Sequence, residues 1–213
     1  MQGSAQPKSH GQARNRDLAD YQNHVKNLMA VICSIASRTV ENSDNLEDFA
    51  AHFDGRLAAL GRAQRMLTRT DAFTTDLEEL VREELLAQAI DQQAVTLEGP
   101  GVRLPQKVAE NLGLALHELV TNAIKFGALF GQSQRGHLSL TWKTDGDTLR
   151  LEWRESGVVA MDTRPARSGF GREWLERGLA YQISARAELA FLPGGLACNI
   201  IVPLHLVAME AAP

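Results

Sequence analysis

Apolar residues recur every three or four positions along the first third of the chain, which predicts two amphipathic helices. The polar link Ser43-Asp44-Asn45 between them predicts a turn and a helix N-cap. The first stripe consists of Leu18, Tyr21, Val25, Leu28, Ile32 and Ile35, and the second of Leu46, Phe49, Phe53, Leu57, Leu60, Gln64 and Leu67. A two-helix hairpin cannot cover both stripes by itself. We therefore expect residues 17–70 to form a homodimer, in which two hairpins make a four-helix bundle.

The pattern changes after residue 70 and alternates between helical and strand periods. Helical spacing predicts helices over residues 76–90, 107–129 and 170–184. Alternating apolar and polar residues predict short strands near residues 94–104 and hairpins over residues 137–154 and 187–203. Helices on one face of a mostly antiparallel sheet give the α+β class, here a two-layer α/β sandwich over residues 71–206. We expect residues 1–16 to be a disordered leader and residues 207–213 a tail.

Composition narrows the classes of partner. The apolar fraction of 44% is that of an ordinary globular protein, and no apolar run is long enough to span a membrane. The net charge of −4 gives no electrostatic support for binding nucleic acid or an anionic membrane. The two cysteines, Cys33 and Cys198, have no metal-ligand spacing, so we expect buried thiols in a reducing cytoplasm.

The helix predicted over residues 107–129 carries a polar set in an otherwise apolar pattern. Glu118, Asn122 and Lys125 lie at positions i, i+4 and i+7, so they project from one helix face. Such a set is either the solvated face of an amphipathic helix or a site for a nucleoside triphosphate with Mg²⁺. In the second case the amide oxygen is a hard ligand for the metal, and the amine faces phosphate.

Three motifs resemble those of one ATPase superfamily. The run of residues 117–127, HELVTNAIKFG, resembles the asparagine box of the GHKL superfamily, and its leading His117 is similar to the variant found in HWE-type histidine kinases. The second signature of that family appears as Trp153-Arg154-Glu155, and Gly169-Phe170-Gly171 resembles the glycine box of the nucleotide lid. The order and spacing of all three motifs imply a GHKL, or Bergerat, sandwich that binds ATP and Mg²⁺.

The resemblance assigns roles to the polar set on the motif helix. Asn122 would coordinate the Mg²⁺ that bridges the phosphates, and Lys125 would contact phosphate oxygens. Glu118 would orient or polarise the group that attacks the γ-phosphate. His117 would either contact the nucleotide or support the phosphate site structurally.

The other two motifs would bind the base and close the lid. Glu155 stands where the superfamily usually has an aspartate that accepts a hydrogen bond from the adenine amino group. Gly157 would let the backbone approach the ring, and Gly169 and Gly171 would belong to the lid. Trp153 lies on an alternating strand, which favours core packing over contact with a ligand.

The family's phosphoacceptor motif resembles His-Arg-Val-Lys-Asn, whereas this chain has Asn23-His24-Val25-Lys26-Asn27. Asn23 therefore occupies the position of the expected acceptor, roughly 170° from the centre of the first apolar stripe, and His24 lies roughly 70° from that centre. An amide nitrogen is not nucleophilic, so Asn23 cannot replace the histidine. Three explanations remain: the chain does not phosphorylate itself, it uses His24, or the residue was introduced.

The resemblance implies the core of a cytoplasmic two-component histidine kinase. It would transfer phosphate from ATP to the receiver domain of a response regulator, with input from a separate sensor protein. The alternative is a pseudokinase, phosphatase or regulator-binding module that does not phosphorylate itself. A GHKL serine kinase would not need the long hairpin, and a topoisomerase or chaperone ATPase would need a transducer domain after residue 206.

Overall fold

The computed structural model describes residues 8–67, 74–132, 136–158 and 169–209, and the chain divides into two compact units, residues 1–53 and 54–213. The first unit contains helix α1 (Lys8–Asn42) and the start of helix α2 (Leu46–Leu67). The predicted N-cap is present, because the Asn45 side chain accepts a hydrogen bond from the Asp48 backbone N–H at 2.9 Å. Residues 8–16, which we expected in the leader, belong to α1, and residues 1–7 lie outside the described residues.

The faces of α1 differ from the predicted stripe in one respect. Val31 and Ile35 are buried, whereas Val25 and Met29 are 39% and 54% exposed. Cys33 is also exposed, so our expectation of a buried thiol is wrong at this position and correct for Cys198. An exposed apolar strip therefore lies beside the buried one, about a third of a turn further around the helix.

The second unit is an α+β fold, as predicted. Its elements are β1 (Thr74–Asp76), α3 (Leu77–Ala87), β2 (Val95–Glu98), β3 (Val102–Pro105), α4 (Gln106–Phe126), β4 (His137–Asp145), β5 (Thr148–Ser156), α5 (Phe170–Glu173), a π-helical turn (Trp174–Gly178), α6 (Leu179–Ile183), β6 (Arg186–Leu192), β7 (Gly195–Pro203) and β8 (Ala208–Met209). The main sheet has five strands in the order β2-β4-β5-β7-β6, and all neighbours are antiparallel except β2 and β4, which are parallel. A second sheet of three strands, β1-β3-β8, was not predicted.

The core of the second unit lies between one face of the main sheet and its helices. Burial alternates residue by residue along β5 and over residues 137–142 of β4, so one face of each strand is apolar and covered there. Trp153 is only 1% exposed, which confirms the prediction of core packing for this residue. Each large apolar side chain removed from water contributes roughly 1.5–3 kcal/mol. Every residue of α4 from Val108 to Val120 is buried, so the helix is fixed in place by packing on all sides.

Helix α4 ends earlier than its apolar pattern predicts. It stops at Phe126, and Gly127 has an extended backbone with φ −113° and ψ −151°. The residues that follow fold back on the helix, because the Leu129 N–H donates to the Ala123 carbonyl at 3.0 Å. Among the described residues, no helix has the length and apolar character that spanning a membrane would require.

Candidate nucleotide site

The three motif segments meet on helix α4. Gly171 of the glycine box packs against Glu118, and a Cβ atom at position 171 would lie 2.6 Å from Glu118 Oε2. At the C-terminal end of α4, the Ala128 N–H donates to Glu155 Oε2 at 2.9 Å. The fold thus brings together segments that lie up to about fifty residues apart in sequence, and α4 is the element that all of them contact.

Glu118 is not open to solvent but forms a buried ion pair with Arg56 of α2. The Arg56 guanidinium donates from Nε to Glu118 Oε1 at 2.8 Å and from Nη2 to Oε2 at 3.3 Å. The same guanidinium lies 3.9 Å from the centre of the Phe170 ring, next to the glycine box. Sequence reasoning missed Arg56, although an arginine between the apolar positions Phe53 and Leu57 was a signal that it faces a partner inside the fold. Arg56 fixes the direction of the Glu118 carboxylate.

His117 belongs to a second buried chain of polar groups. Its Nδ1 lies 2.7 Å from Glu84 Oε1 on α3, and Glu84 also accepts from Nε of Arg62 on α2 at 3.0 Å. Burial by itself would raise the pKa of Glu84, but hydrogen bonds and charge from His117, and then from Arg62, outweigh it and bring the pKa below its ordinary value. His117 lies about 140° around the helix from Asn122. The structure therefore places His117 in a support of α4 rather than on the face of the polar set.

Asn122 is half-buried and is well suited to meet a ligand. Within the part of the chain that the structure describes, its carboxamide makes no hydrogen bond. The neighbouring Thr121 has a buried hydroxyl with no partner among the described residues, a position that sequence reasoning did not single out. Lys125 lies one turn further on and is exposed. Asn122 and Lys125 thus offer a hard oxygen ligand and an amine on one part of the helix, which fits a phosphate group with Mg²⁺.

Glu155 of the Trp-x-Glu motif is buried, with a different set of partners from the one we expected. Trp153 Nε1 donates to Glu155 Oε1 at 3.0 Å, and the Ala128 N–H donates to the other oxygen. Burial raises the pKa of Glu155 above its ordinary value, although both hydrogen bonds act in the opposite direction. Gly157 follows with φ +77°, a left-handed conformation that favours glycine. Gly169 is the exposed N-cap of α5.

The expected phosphoacceptor position lies on α1, in the first unit. Asn23 is exposed and His24 is half-buried, in agreement with the outward and flanking positions that helical spacing predicts. Position 23 therefore has the exposure that an acceptor needs but lacks the imidazole.

Known proteins resemble this chain over most of its length. The family model described as HWE histidine kinase matches residues 22–101. A blue-light-activated histidine kinase of Brucella anthropi is 31% identical over 184 residues, which cover 84% of this chain and 37% of the relative. A protein of the same name from Brucella ovis is 31% identical over 185 residues with the same coverage. The chain thus spans 37% of the length of these curated relatives.

Two solved structures share the fold. The blue-light activated histidine kinase EL346 of Erythrobacter litoralis has a TM-score of 0.56 at 22% identity, covering 89% of this chain and 63% of that one. The histidine kinase domain of the same protein has a TM-score of 0.54 at 17% identity, covering 83% of this chain and 95% of that one. The family match and the similarity to the Brucella relatives agree with the resemblance to HWE histidine kinases that the motifs predict, and the solved structures share the fold.

Proposed function

We propose that the second unit binds Mg·ATP against the C-terminal half of α4, and that the chain serves as the phosphotransfer core of a two-component histidine kinase. The observation that supports this most directly is the half-buried Asn122 carboxamide, which makes no hydrogen bond within the described residues. A polar side chain in that position is costly unless a ligand or water completes it. The match of residues 22–101 to the HWE histidine kinase family, whose members are transferases, supports the reaction class.

The residues on α4 would bind different parts of Mg·ATP. Asn122 would hold the Mg²⁺, which would neutralise charge on the phosphate oxygens when bound. The exposed Lys125 amine would donate to phosphate oxygens. Glu118 would orient the phosphate acceptor, and its direction is set by Arg56. In phosphoryl transfer of this kind the protein contributes mainly position and charge.

The proposal includes the partners that the family implies. We expect a homodimer through residues 17–70, a response regulator receiver domain that accepts phosphate, and a separate sensor that supplies the input. The exposed apolar strip on α1, which includes Val25 and Met29, supports an interface there. Because the ATP that the site would bind is cytoplasmic, the proposal keeps the cytoplasmic location that the sequence predicts.

Calorimetry with Mg·ATP tests the nucleotide site. Replacing Asn122 with alanine removes the proposed metal ligand and should weaken Mg·ATP binding by about 1–3 kcal/mol, whereas ADP without metal should lose less. Asn199→Ala is the matched control, because Asn199 is also a half-buried carboxamide but lies on β7, on the face of the sheet away from the core. Equal Mg·ATP affinity in the wild type and Asn122→Ala would reject the assignment.

A further inference from the structure

We propose that Phe170, the middle residue of the glycine box, is a positioning residue for Glu118 and acts through the Arg56 guanidinium. This inference rests on the proposed function, in which Glu118 would orient the phosphate acceptor. It gives a task to a residue that the motif resemblance leaves without one, because the resemblance assigns only the glycines on either side of Phe170.

The Arg56 guanidinium is held at its edge and on its face by different elements. At the edge, Nε donates to Glu118 Oε1 at 2.8 Å and Nη2 donates to Oε2 at 3.3 Å. On the face, the central Cζ atom lies 3.9 Å from the centre of the Phe170 ring. The N–H donors of a guanidinium lie in its own plane, and the negative face of an aromatic ring attracts its positive face. The two contacts together therefore fix both the direction and the plane of the guanidinium.

Burial makes the contact between the ring and the guanidinium more important. Arg56 is 6% exposed and Phe170 is 2% exposed. A buried charge is costly unless its surroundings compensate it, and the attraction between a cation and a ring is stronger where water is excluded. Phe170 is itself held by Trp174, whose ring stacks on it with 5.8 Å between the centroids and 10° between the planes. The Trp174 indole N–H in turn donates to the Asn111 carbonyl on α4 at 3.4 Å.

The glycine box places Phe170 next to the ion pair. Gly171 lies so close to Glu118 that a Cβ atom at position 171 would be 2.6 Å from Glu118 Oε2. Phe170 and Gly171 are the first two residues of α5, so the close approach of one determines where the other stands. A larger residue at position 171 would move α5 away from α4 and take the Phe170 ring away from Arg56.

The plane of the guanidinium determines how Glu118 can act on an acceptor. Two donors from Arg56 leave lone pairs free on both carboxylate oxygens. A bidentate pair favours a carboxylate that lies in the plane of the guanidinium, so that plane decides where the free lone pairs point. An acceptor that Glu118 orients would use these lone pairs. Loss of the Phe170 ring face should therefore slow phosphate transfer and leave the binding of Mg·ATP, which Asn122 would hold, unchanged.

The Nε–H group of Arg56 reports directly on this geometry, since it donates to Glu118. We would observe it by NMR without nucleotide, in protein with isotope-labelled arginine, and assign it by its loss in Arg56→Lys. Phe170→Leu removes the ring face. Pentafluorophenylalanine at position 170 keeps a ring and reverses the charge of its face, so it changes the electrostatic contact without creating a cavity. Leu175→Ala is the control, because Leu175 is fully buried in the π-helical turn and its truncation creates only a packing defect.

We expect both changes at position 170 to speed solvent exchange of the Arg56 Nε–H about tenfold, the factor that corresponds to loss of a desolvated cation–π contact. Leu175→Ala should leave this exchange close to its wild-type rate. When the same changes are combined with Asn23→His, labelling from γ-labelled ATP should become about tenfold slower, with the affinity for Mg·ATP in calorimetry unchanged.

Two results would overturn the proposal. If exchange at Arg56 is the same in the wild type and both variants at position 170, or if Leu175→Ala speeds it equally, Phe170 only fills space. If exchange rises as expected but labelling of Asn23→His keeps its rate, Phe170 holds Arg56 without positioning Glu118 for the reaction.

Failure of the proposed function gives a different result. Asn23→His would then bind no Mg·ATP or remain unlabelled in every variant. Exchange at Arg56 still decides in that case whether Phe170 fixes the pair of Arg56 and Glu118, because it is measured without nucleotide.

Discussion

Replacing Arg56 with methionine should destabilise the second unit by about 3–5 kcal/mol, because it leaves the Glu118 carboxylate buried without its partner. The two side chains of the pair are 7% and 9% exposed, and their closest nitrogen–oxygen distance is 2.8 Å. At such a separation, two unit charges attract by about 6 kcal/mol with an effective dielectric constant near 20. Loss of the contact between Arg56 and the Phe170 ring adds about 0.5–2 kcal/mol to the same variant.

Urea unfolding followed by tryptophan fluorescence measures this cost in the relevant unit. All three tryptophans, Trp142, Trp153 and Trp174, lie in the second unit, so the signal reports on residues 54–213. The control is Arg82→Met, which breaks the ion pair of Arg82 with Glu78 on α3. There the side chains are 48% and 42% exposed, and such surface pairs contribute about 0.3–0.5 kcal/mol.

A double-variant cycle separates the ion pair from loss of packing. Glu118→Gln alone takes the carboxylate away from the buried Arg56 guanidinium, so it should also be costly. The double variant Arg56→Met with Glu118→Gln removes both charges and should cost no more than Arg56→Met alone. If the two single costs simply add, or if Arg56→Met costs as little as Arg82→Met, the buried ion pair does not hold α2 to α4 and our reasoning about Glu118 is wrong.

Three further predictions follow from the contacts and exposures. Val25→Asp should convert a dimer into a monomer, as measured by light scattering. Oxidation should form a disulfide between the exposed Cys33 residues of two chains. A wild-type protein that is monomeric at micromolar concentration would contradict both predictions. With γ-labelled ATP, the Asn23→His variant should show much more acid-labile labelling than the starting protein. If the starting protein is already strongly labelled and His24→Ala abolishes the label, His24 is the acceptor. The lowered pKa of Glu84 means that its carboxylate stabilises the fold above about pH 4.5 and that this contribution is lost as the pH falls further. The destabilisation caused by Glu84→Gln should therefore shrink below about pH 4.5 in urea titrations, and a constant difference would be contrary to this linkage.

The secondary structure was predictable where the chain repeats a period over several residues. The two hairpins β4–β5 and β6–β7 follow the alternation of apolar residues, and α1 to α4 follow helical spacing. The three-stranded sheet was not predictable, because β1 has three residues and β8 has two, too few to show a period. The parallel pairing of β2 with β4 was missed for a related reason: local spacing does not identify a partner about forty residues away.

Spacing also predicted which groups share the motif helix, but it could not show what each group contacts. Glu118 and Asn122 are one helical turn apart, yet the first is enclosed by Arg56 and the second has no partner among the described residues. The two residues differ because α2 supplies the Arg56 guanidinium to Glu118, and the spacing of residues along α4 does not show which side chains of α2 pack against it. A charged residue in an apolar repeat indicates only that some partner exists.

The end of α4 shows that the spacing within a motif predicts only some of the contacts that its residues make. Trp153 and Glu155 are two positions apart on β5, so period-two alternation alone places the indole and the carboxylate side by side on the buried face. The third member, the Ala128 N–H, comes from a segment about thirty residues away, and the apolar pattern there predicts a continuing helix. Gly127 is required because the Glu155 carboxylate occupies the space of its missing side chain, which cannot be recognised until both segments are in place. The Trp-x-Glu spacing therefore predicts the contact between the indole and the carboxylate, whereas the contact with Ala128 depends on how the chain folds after α4.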